Sequence, residues 1–255
     1  MKNIKTVILC GGRGYRLKEE TEFIPKPMIQ IGGQPVLWHI LNIYSHYGFN
    51  DFVIALGYKG NVIKDYFANK KYYDGDFTLD TKTKKIRHLF KPAGGYKVTL
   101  VDTGLDSLTG ERVRLIKKYI DTPNFMVTYG DGVSNININQ LYKYHLHKKA
   151  TATITGVYPY LRYGGMKIDA NGFAYNFERK AQIRQTINGG FMVFSKKIFN
   201  YIKPNSMIEE VFTPLSKEKR VAVFEHKGFW QSMDTYQDME ELNALWDKTA
   251  PWKIW

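Results

Sequence analysis

The sequence predicts an α/β domain on three observations. Strand-like and helix-like segments alternate from the first residues, the order expected of parallel βαβ units. An apolar run, Val7-Ile8-Leu9, breaks directly into Cys10-Gly11-Gly12-Arg13-Gly14-Tyr15-Arg16-Leu17, so a buried strand ends in a glycine-rich turn. A content of 44% apolar and 15% aromatic residues in a chain of 255 is that of a globular protein able to bury a substantial core.

Thr6 to Cys10 reads as the first strand. Pro35 to Tyr47 reads as a helix, with Pro near its start, Leu37, Ile40, Leu41 and Tyr44 on one face, and Gly48 as its stop. Asp51 to Leu56 is a second strand and Gly60 to Asn69 a short helix. Residues 72–98 alternate polar and apolar positions around Gly94-Gly95, which suggests a small antiparallel excursion or a flap over the sheet edge. Val98 to Asp102 is a strand, Thr109 to Tyr119 a helix, and Phe125 to Tyr129 a strand ending at Gly130-Asp131-Gly132. Ile138 to Lys148 reads as helix and Ala150 to Val157 as strand, with short strands around 166–177 and 189–194. Ile208 to Lys217 and Thr235 to Trp246 are the last helices. No repeat, low-complexity tract or linker interrupts residues 1–255, so one compact domain is expected.

The lone cysteine, Cys10, excludes an intrachain disulfide and a multi-cysteine metal site. No apolar run approaches the roughly 20 residues that span a bilayer, and MKNIK does not open a signal peptide, so a cytoplasmic protein with no membrane partner is expected. A net charge of +13 invites a nucleic-acid reading. The basic residues are dispersed, however, with only short clusters at Lys82-Thr83-Lys84-Lys85 and His147-Lys148-Lys149. The charge therefore points to small phosphorylated ligands and not to nucleic acid.

The glycine turn can wrap a phosphate chain, with Arg16 and Lys26 available to neutralise it. Leu17 stands where the dinucleotide fingerprint needs its third glycine, and no Gly-Lys-Ser/Thr follows. A glycine-rich turn with a separate arginine and a lysine held in Pro25-Lys26-Pro27 favours nucleoside triphosphate chemistry over hydride transfer. Lys26 could otherwise be an ordinary loop lysine. Asp131 lies at the carboxyl end of a strand, where open α/β sheets place ligands, though a carboxylate between glycines can be a simple turn residue. Asp234, in Gly228-Phe229-Trp230-Gln231-Ser232-Met233-Asp234-Thr235, could be a helix N-cap. Convergence of the two aspartates on one Mg²⁺ would account for both. Asn188-Gly189-Gly190, preceded by Glu178-Arg179-Lys180, is either a hairpin turn or part of a site for an acceptor's hydroxyls and phosphate. Cys10 reads as a small buried residue, not a nucleophile. His39, His46, His88, His145, His147 and His226 contain no His-Glu-x-x-His spacing, which argues against a catalytic zinc.

With these residues in place the chain resembles the sugar-1-phosphate nucleotidyltransferases, and within them the glucose-1-phosphate cytidylyltransferases. The resemblance runs nearly end to end. Beyond the glycine turn and Pro25-Lys26-Pro27-Met28 it includes Ile31-Gly32-Gly33-Gln34-Pro35-Val36-Leu37-Trp38-His39-Ile40, Gly57-Tyr58-Lys59-Gly60 and Thr99-Leu100-Val101-Asp102-Thr103-Gly104. It continues through Thr128-Tyr129-Gly130-Asp131-Gly132, Ile187-Asn188-Gly189-Gly190-Phe191, the Gly228 to Thr235 segment and Ala250-Pro251-Trp252-Lys253. It implies a Rossmann-like, mixed but mostly parallel sheet flanked by helices, with a small antiparallel excursion. It also implies transfer of CMP from CTP to a phosphorylated acceptor, with release of pyrophosphate, for capsule or O-antigen precursors. By carry-over, Leu9, Gly11, Gly12 and Gly14 would cradle the nucleotide, and Arg16 and Lys26 would hold its phosphates and assist catalysis. Thr103, Gly104 and Arg112 would lie near the cytosine, Asp131 would touch the nucleotide, and Asp131 and Asp234 would bind Mg²⁺. Homo-oligomers are common in the family and are expected here.

Departures from the family pattern gather in the acceptor half. Tyr15 replaces the threonine of the usual Gly-Thr-Arg turn, and Glu178-Arg179-Lys180 replaces Glu-Lys-Pro. Arg162-Tyr163-Gly164-Gly165-Met166-Lys167 replaces Arg-Phe-Gly-Ala-Leu-Asp, and Glu-x-Glu-Pro-Leu is lost around Glu209 to Leu215. The acceptor-binding set implied is Arg162, Tyr163, Gly164, Lys167, Glu178, Arg179 and Asn188. Arginine for lysine keeps the phosphate charge but alters the hydrogen-bond geometry. Three acceptor readings follow: glucose 1-phosphate, another phosphorylated acceptor, and specifically L-glutamine phosphate, which would give CDP-L-glutamine for capsule phosphoramidate groups. A non-catalytic nucleotide sensor on the same fold would not need Lys26, Asp131 and Asp234 together.

Overall fold

A computed structural model describes residues 4–73, 75–89, 95–160, 163–179, 181, 183 and 185–255. Its centre is a seven-stranded sheet formed by β1 (Lys5–Cys10), β2 (Asp51–Leu56), β3 (Lys97–Asp102), β4 (Asn124–Tyr129), β5 (Ala152–Val157), β6 (Ile187–Ser195) and β7 (Val221–His226). The spatial order is β7-β5-β6-β4-β1-β2-β3. β6 runs antiparallel to β4 and β5, while the β1–β2, β1–β4, β2–β3 and β5–β7 pairs are parallel. The sheet is therefore mixed but mostly parallel, as expected.

Every residue of β1 is buried, because parallel strands covered on both faces need apolar side chains on each. Their alternation builds two cores. Ile8, Cys10, Ile54, Leu56 and Met126 face one layer of helices: α1 (Val36–His46), α4 (Ile138–Lys148) and α6 (Tyr236–Trp246). Val7, Leu9, Val53, Ala55 and Val127 face the other, which includes α3 (Thr109–Leu115) and α5 (Phe212–Lys217). α2 (Gly60–Tyr73) links β2 to β3. The four α1 residues expected on the core face, Leu37, Ile40, Leu41 and Tyr44, are all fully buried.

The antiparallel excursion in 72–98 is present as a ribbon of Phe77–Leu79 with Ile86–His88 that turns at residues 80–85, and Gly94 of the expected Gly94-Gly95 turn lies outside the described residues. A second ribbon, Gly165–Ile168 with Ala174–Glu178, is exposed over almost its whole length. Three expectations need correction. The helix expected over 109–119 is α-helical only to Leu115 and continues as a 3-10 turn to Tyr119. Residues 208–217 begin as a 3-10 turn, Ile208–Val211, before α5. β7 was not anticipated, because on this sheet edge its side chains are only partly covered and Glu225 and His226 interrupt the apolar pattern.

Candidate active site

The carboxyl ends of β1 and β4 and the loop after β3 open onto a cavity of about 340 Å³. Leu9, Gly11, Gly12, Gly14, Lys26, Arg112, Tyr129 and Asp131 are among the residues lining it. This is the edge at which open α/β sheets place their ligands.

Arg112, on α3, is buried and organises the floor. Its Nη1 donates to the carbonyls of Leu56 (3.0 Å) and Gly104 (2.7 Å) and to Thr103 Oγ1 (2.7 Å). Its Nη2 donates to the carbonyls of Gly11 (2.9 Å) and Leu105 (3.2 Å). The Thr103 hydroxyl in turn donates to the Leu56 carbonyl at 2.6 Å. One guanidinium thus ties the glycine turn to the ends of β2 and β3. Gly11 is glycine for a steric reason: a Cβ there would lie 2.1 Å from Arg112 Cζ. Gly14 has φ +65°, and a Cβ there would press on Thr21 at 2.7 Å. At the rim Arg13 pairs with Asp106 at 2.8 Å, joining the glycine turn to the loop after β3.

Lys26 sits on a 3-10 turn, Lys26–Met28, that Pro25 and Pro27 preorganise. Its Nζ lies 2.7 Å from Asp131 Oδ2 and 2.8 Å from Asp234 Oδ1. The two aspartates meet because the short ribbon Gly132–Ser134 with Trp230–Ser232 pairs Gly132 with Ser232. The Met233 N–H then donates to the Asp131 carbonyl at 2.8 Å. The ribbon was invisible to pattern reasoning, since each strand is three residues long. Asp234 is not the N-cap of α6. Thr235 caps that helix, and Asp238 Oδ2 accepts from the backbone N–H groups of Asp234 (2.9 Å) and Thr235 (2.8 Å). The Asp234 carboxylate meets the Lys26 ammonium through Oδ1, and Ser232 Oγ donates to its Oδ2 at 2.9 Å.

Burial lowers the Lys26 pKa, but the Asp131 and Asp234 carboxylates outweigh it and hold it above the ordinary lysine value. Burial raises the pKa of Asp234, and Lys26, Ser232 and Arg16 reverse the sign and hold it below the usual carboxylate value. Arg16 lies on a 3-10 turn, largely exposed, with Nη1 3.8 Å from Asp234 Oδ1. Burial pushes the Cys10 thiol pKa well up, so its thiolate is suppressed.

The structure thus brings together Leu9, Gly11, Gly12, Gly14, Arg16, Lys26, Thr103, Gly104, Arg112, Asp131 and Asp234. It does not bring the acceptor set into the same cavity. Tyr163, Gly164, Lys167, Glu178 and Arg179 lie on or beside the exposed ribbon of 165–178, and Arg162 lies outside the described residues. Asn188, at the start of β6, is half-buried, accepts from the Gly190 N–H at 2.9 Å and faces the Tyr129 hydroxyl. Tyr129, which the sequence pattern marks only as part of a glycine turn, forms part of the cavity wall and donates to Glu209. Ser107, Thr109 and Met207 also line the cavity, and no sequence pattern singled them out.

Among the described residues no group of three or more His, Cys, Asp or Glu side chains converges. The donors at this site are two carboxylates that already bracket one cation. That set suits a hard divalent ion that completes its shell with phosphate oxygens and water, as Mg²⁺ does, better than an all-protein cage.

A strand-bound glycine turn, an ammonium and two carboxylates meet at the carboxyl edge of a mixed sheet, an arrangement of the kind in which α/β enzymes hold phosphate groups. Comparison with known proteins names the group: the nucleotidyl transferase family model matches residues 5–249, and the chain belongs to that family of enzymes. It is 43% identical over 256 residues to a probable glucose-1-phosphate cytidylyltransferase of Bacillus subtilis, covering 99% of this chain and 100% of that one. It is 41% identical over 257 residues to the glucose-1-phosphate cytidylyltransferase of Salmonella typhi, with the same coverage. Its fold matches a putative glucose-1-phosphate thymidylyltransferase of Bacillus anthracis with a TM-score of 0.69 at 18% identity, over 95% of this chain and 94% of that one. No helix among the described residues is long and apolar enough to cross a membrane.

Proposed function

We propose that the protein transfers CMP from CTP to a sugar 1-phosphate, with glucose 1-phosphate the first candidate, releasing pyrophosphate. The observation that carries the reading is the convergence of Lys26, Asp131 and Asp234 beside the glycine turn. The names of the relatives at 41% and 43% identity support cytidine as the base and a sugar phosphate as acceptor.

In this reading the Gly11–Gly14 backbone and the Arg112-braced floor hold the nucleotide. Thr103 and Gly104, at the end of β3, shape the base end. Lys26 and Arg16 face the triphosphate, where fixed positive charge stabilises the transferring α-phosphate and the departing pyrophosphate. The acceptor's own phosphate oxygen attacks, so the chain needs no covalent nucleophile, in keeping with its buried Cys10. Asp131 and Asp234 would hold Mg²⁺, which supplies charge neutralisation to the phosphates when bound. The acceptor lies toward Asn188 and the 165–178 ribbon.

The test is pyrophosphate release from each of the four NTPs with Mg²⁺, against glucose 1-phosphate, other sugar 1-phosphates and L-glutamine phosphate. Release with CTP and glucose 1-phosphate is expected. Release with L-glutamine phosphate and none with sugar phosphates would replace the acceptor assignment. No release with CTP and any acceptor would overturn the reading.

A further inference from the structure

Lys26 does more at this site than face a phosphate. Its ammonium touches Asp131 Oδ2 at 2.7 Å and Asp234 Oδ1 at 2.8 Å, on the two carboxylates that would hold a divalent ion in the proposed reaction. On Asp234 the two oxygens have different partners: Ser232 Oγ donates to Oδ2 at 2.9 Å, while Oδ1 meets the ammonium. A small divalent ion needs its oxygen ligands at roughly 2.0–2.1 Å. It cannot reach that distance while ammonium protons point at the same lone pairs, and two adjacent cations repel.

The geometry points to a competition between the Lys26 ammonium and a divalent cation for one pair of carboxylate oxygens. The metal takes its seat only after a triphosphate has drawn the ammonium away. The inference rests on the proposed role of Asp131 and Asp234 as metal-holding residues. Two further features support it. The turn between Pro25 and Pro27 fixes the Lys26 backbone, while its side chain keeps a flexible stem and freely rotating donors. Lys26 also lines the same cavity as Gly11, Gly12 and Gly14, so a phosphate chain on the glycine turn lies within reach of the swinging ammonium. The consequence is an order of binding. In the absence of nucleotide Lys26 offsets one of the two carboxylate charges and Arg16 stands 3.8 Å from Asp234, so together they leave little net charge to attract a free metal ion. Nucleotide arrival exchanges one cation for another, and metal and triphosphate assemble together.

The experiment is a titration of the full chain with Mn²⁺ alone, without nucleotide, followed by electron paramagnetic resonance of the free ion. Wild type is expected to bind Mn²⁺ weakly. Lys26→Gln is expected to bind one ion per chain at least tenfold more tightly, and Lys26→Arg, which keeps the charge, to stay weak. Lys26→Met provides the same neutralisation should the glutamine variant fold poorly, with circular dichroism reporting fold. Adding Asp234→Asn to Lys26→Gln should abolish the gain. If neutralising Lys26 leaves Mn²⁺ affinity unchanged while Asp234→Asn weakens it, the competition is wrong and the metal-holding pair survives. If neither Asp131→Asn nor Asp234→Asn changes Mn²⁺ binding in any background, the pair itself is wrong and the competition falls with it.

Discussion

At the residue scale the site is decided by single atoms with few alternatives. Asp131→Asn and Asp234→Asn each keep the shape of the side chain and remove one of the two charges that hold Lys26. Each is expected to abolish most pyrophosphate release while circular dichroism stays native, and normal turnover in either variant would refute its role. Gly11→Ala tests the guanidinium clamp. Its methyl would enter the space of Arg112 Cζ, 2.1 Å away, and the displaced arginine would release carbonyls of the glycine turn and the β2 and β3 ends. A loss of about 3 kcal/mol in urea unfolding is expected, with weaker CTP binding by calorimetry. Gly11 was legible as a glycine the turn needed, but its reason was not. Sequence suggested room for a phosphate, and the structure shows that the side of Gly11 where a Cβ would stand is taken by Arg112, 101 positions away.

At the element scale, two short pieces of chain do what no long helix does. The ribbon Gly132–Ser134 with Trp230–Ser232 brings Asp131 and Asp234 to one cation, and the capping residue Asp238 of α6 holds the Asp234 backbone N–H. Asp238→Ala removes the acceptor for both the Asp234 and Thr235 N–H groups. It is expected to cost about 1 kcal/mol and to raise the Mg²⁺ concentration needed for half-maximal activity. Thr235→Ala removes the other half of the cap and leaves Asp238 on the Asp234 N–H, so it should lower stability by a similar amount with the Mg²⁺ requirement unchanged. Equal Mg²⁺ requirements in the two variants would show that Asp238 does not position Asp234. Long periodic elements such as α1 were readable from apolar spacing alone. Strands of three residues carry no period to read, and β7 hid for a related reason, its edge position leaving side chains half-exposed.

At the scale of the whole molecule, two neutral histidines brace the packing of two helices. His39 is fully buried, with Nε2 on the Ile31 carbonyl at 2.8 Å and Nδ1 accepting from Trp252 Nε1 at 3.2 Å. His145 joins α4 to Thr153 of β5 at 2.8 Å and to Asn124 of β4 at 3.2 Å. Burial pushes both pKa values down from 6.5 to about 4. The unfolded chain therefore binds more protons than the native one between those values. Stability is fully present above about pH 6.5 and falls as pH drops toward 4. Each histidine contributes roughly 3 kcal/mol to that loss. Urea unfolding across pH 4–7 should show the slope, and His39→Gln and His145→Gln should each flatten it; unchanged slopes in both would refute the assignment. The exposed ribbon of 165–178 carries Met166, Ile168, Phe173, Tyr175 and Phe177 without a core of its own, and a two-stranded ribbon alone is marginal in water. A homo-oligomer is the expected state by light scattering, with Phe173→Ser plus Phe177→Ser lowering its mass.

By itself the sequence determined the α/β class, most long elements and the glycine turn, and it pointed to Lys26, Asp131 and Asp234 as candidates for the chemistry. These are local matters, carried by apolar period, glycine and proline punctuation, and the order of motifs. Only the tertiary structure decided that the two aspartates share one ammonium, that Thr235 and not Asp234 caps α6, and that Arg112 braces the glycine turn. The first and the last depend on contacts between residues about 100 or more positions apart, where sheet order and ribbon register set which side chains meet; the cap is local, but which of two adjacent candidates serves is fixed by backbone conformation at the helix start.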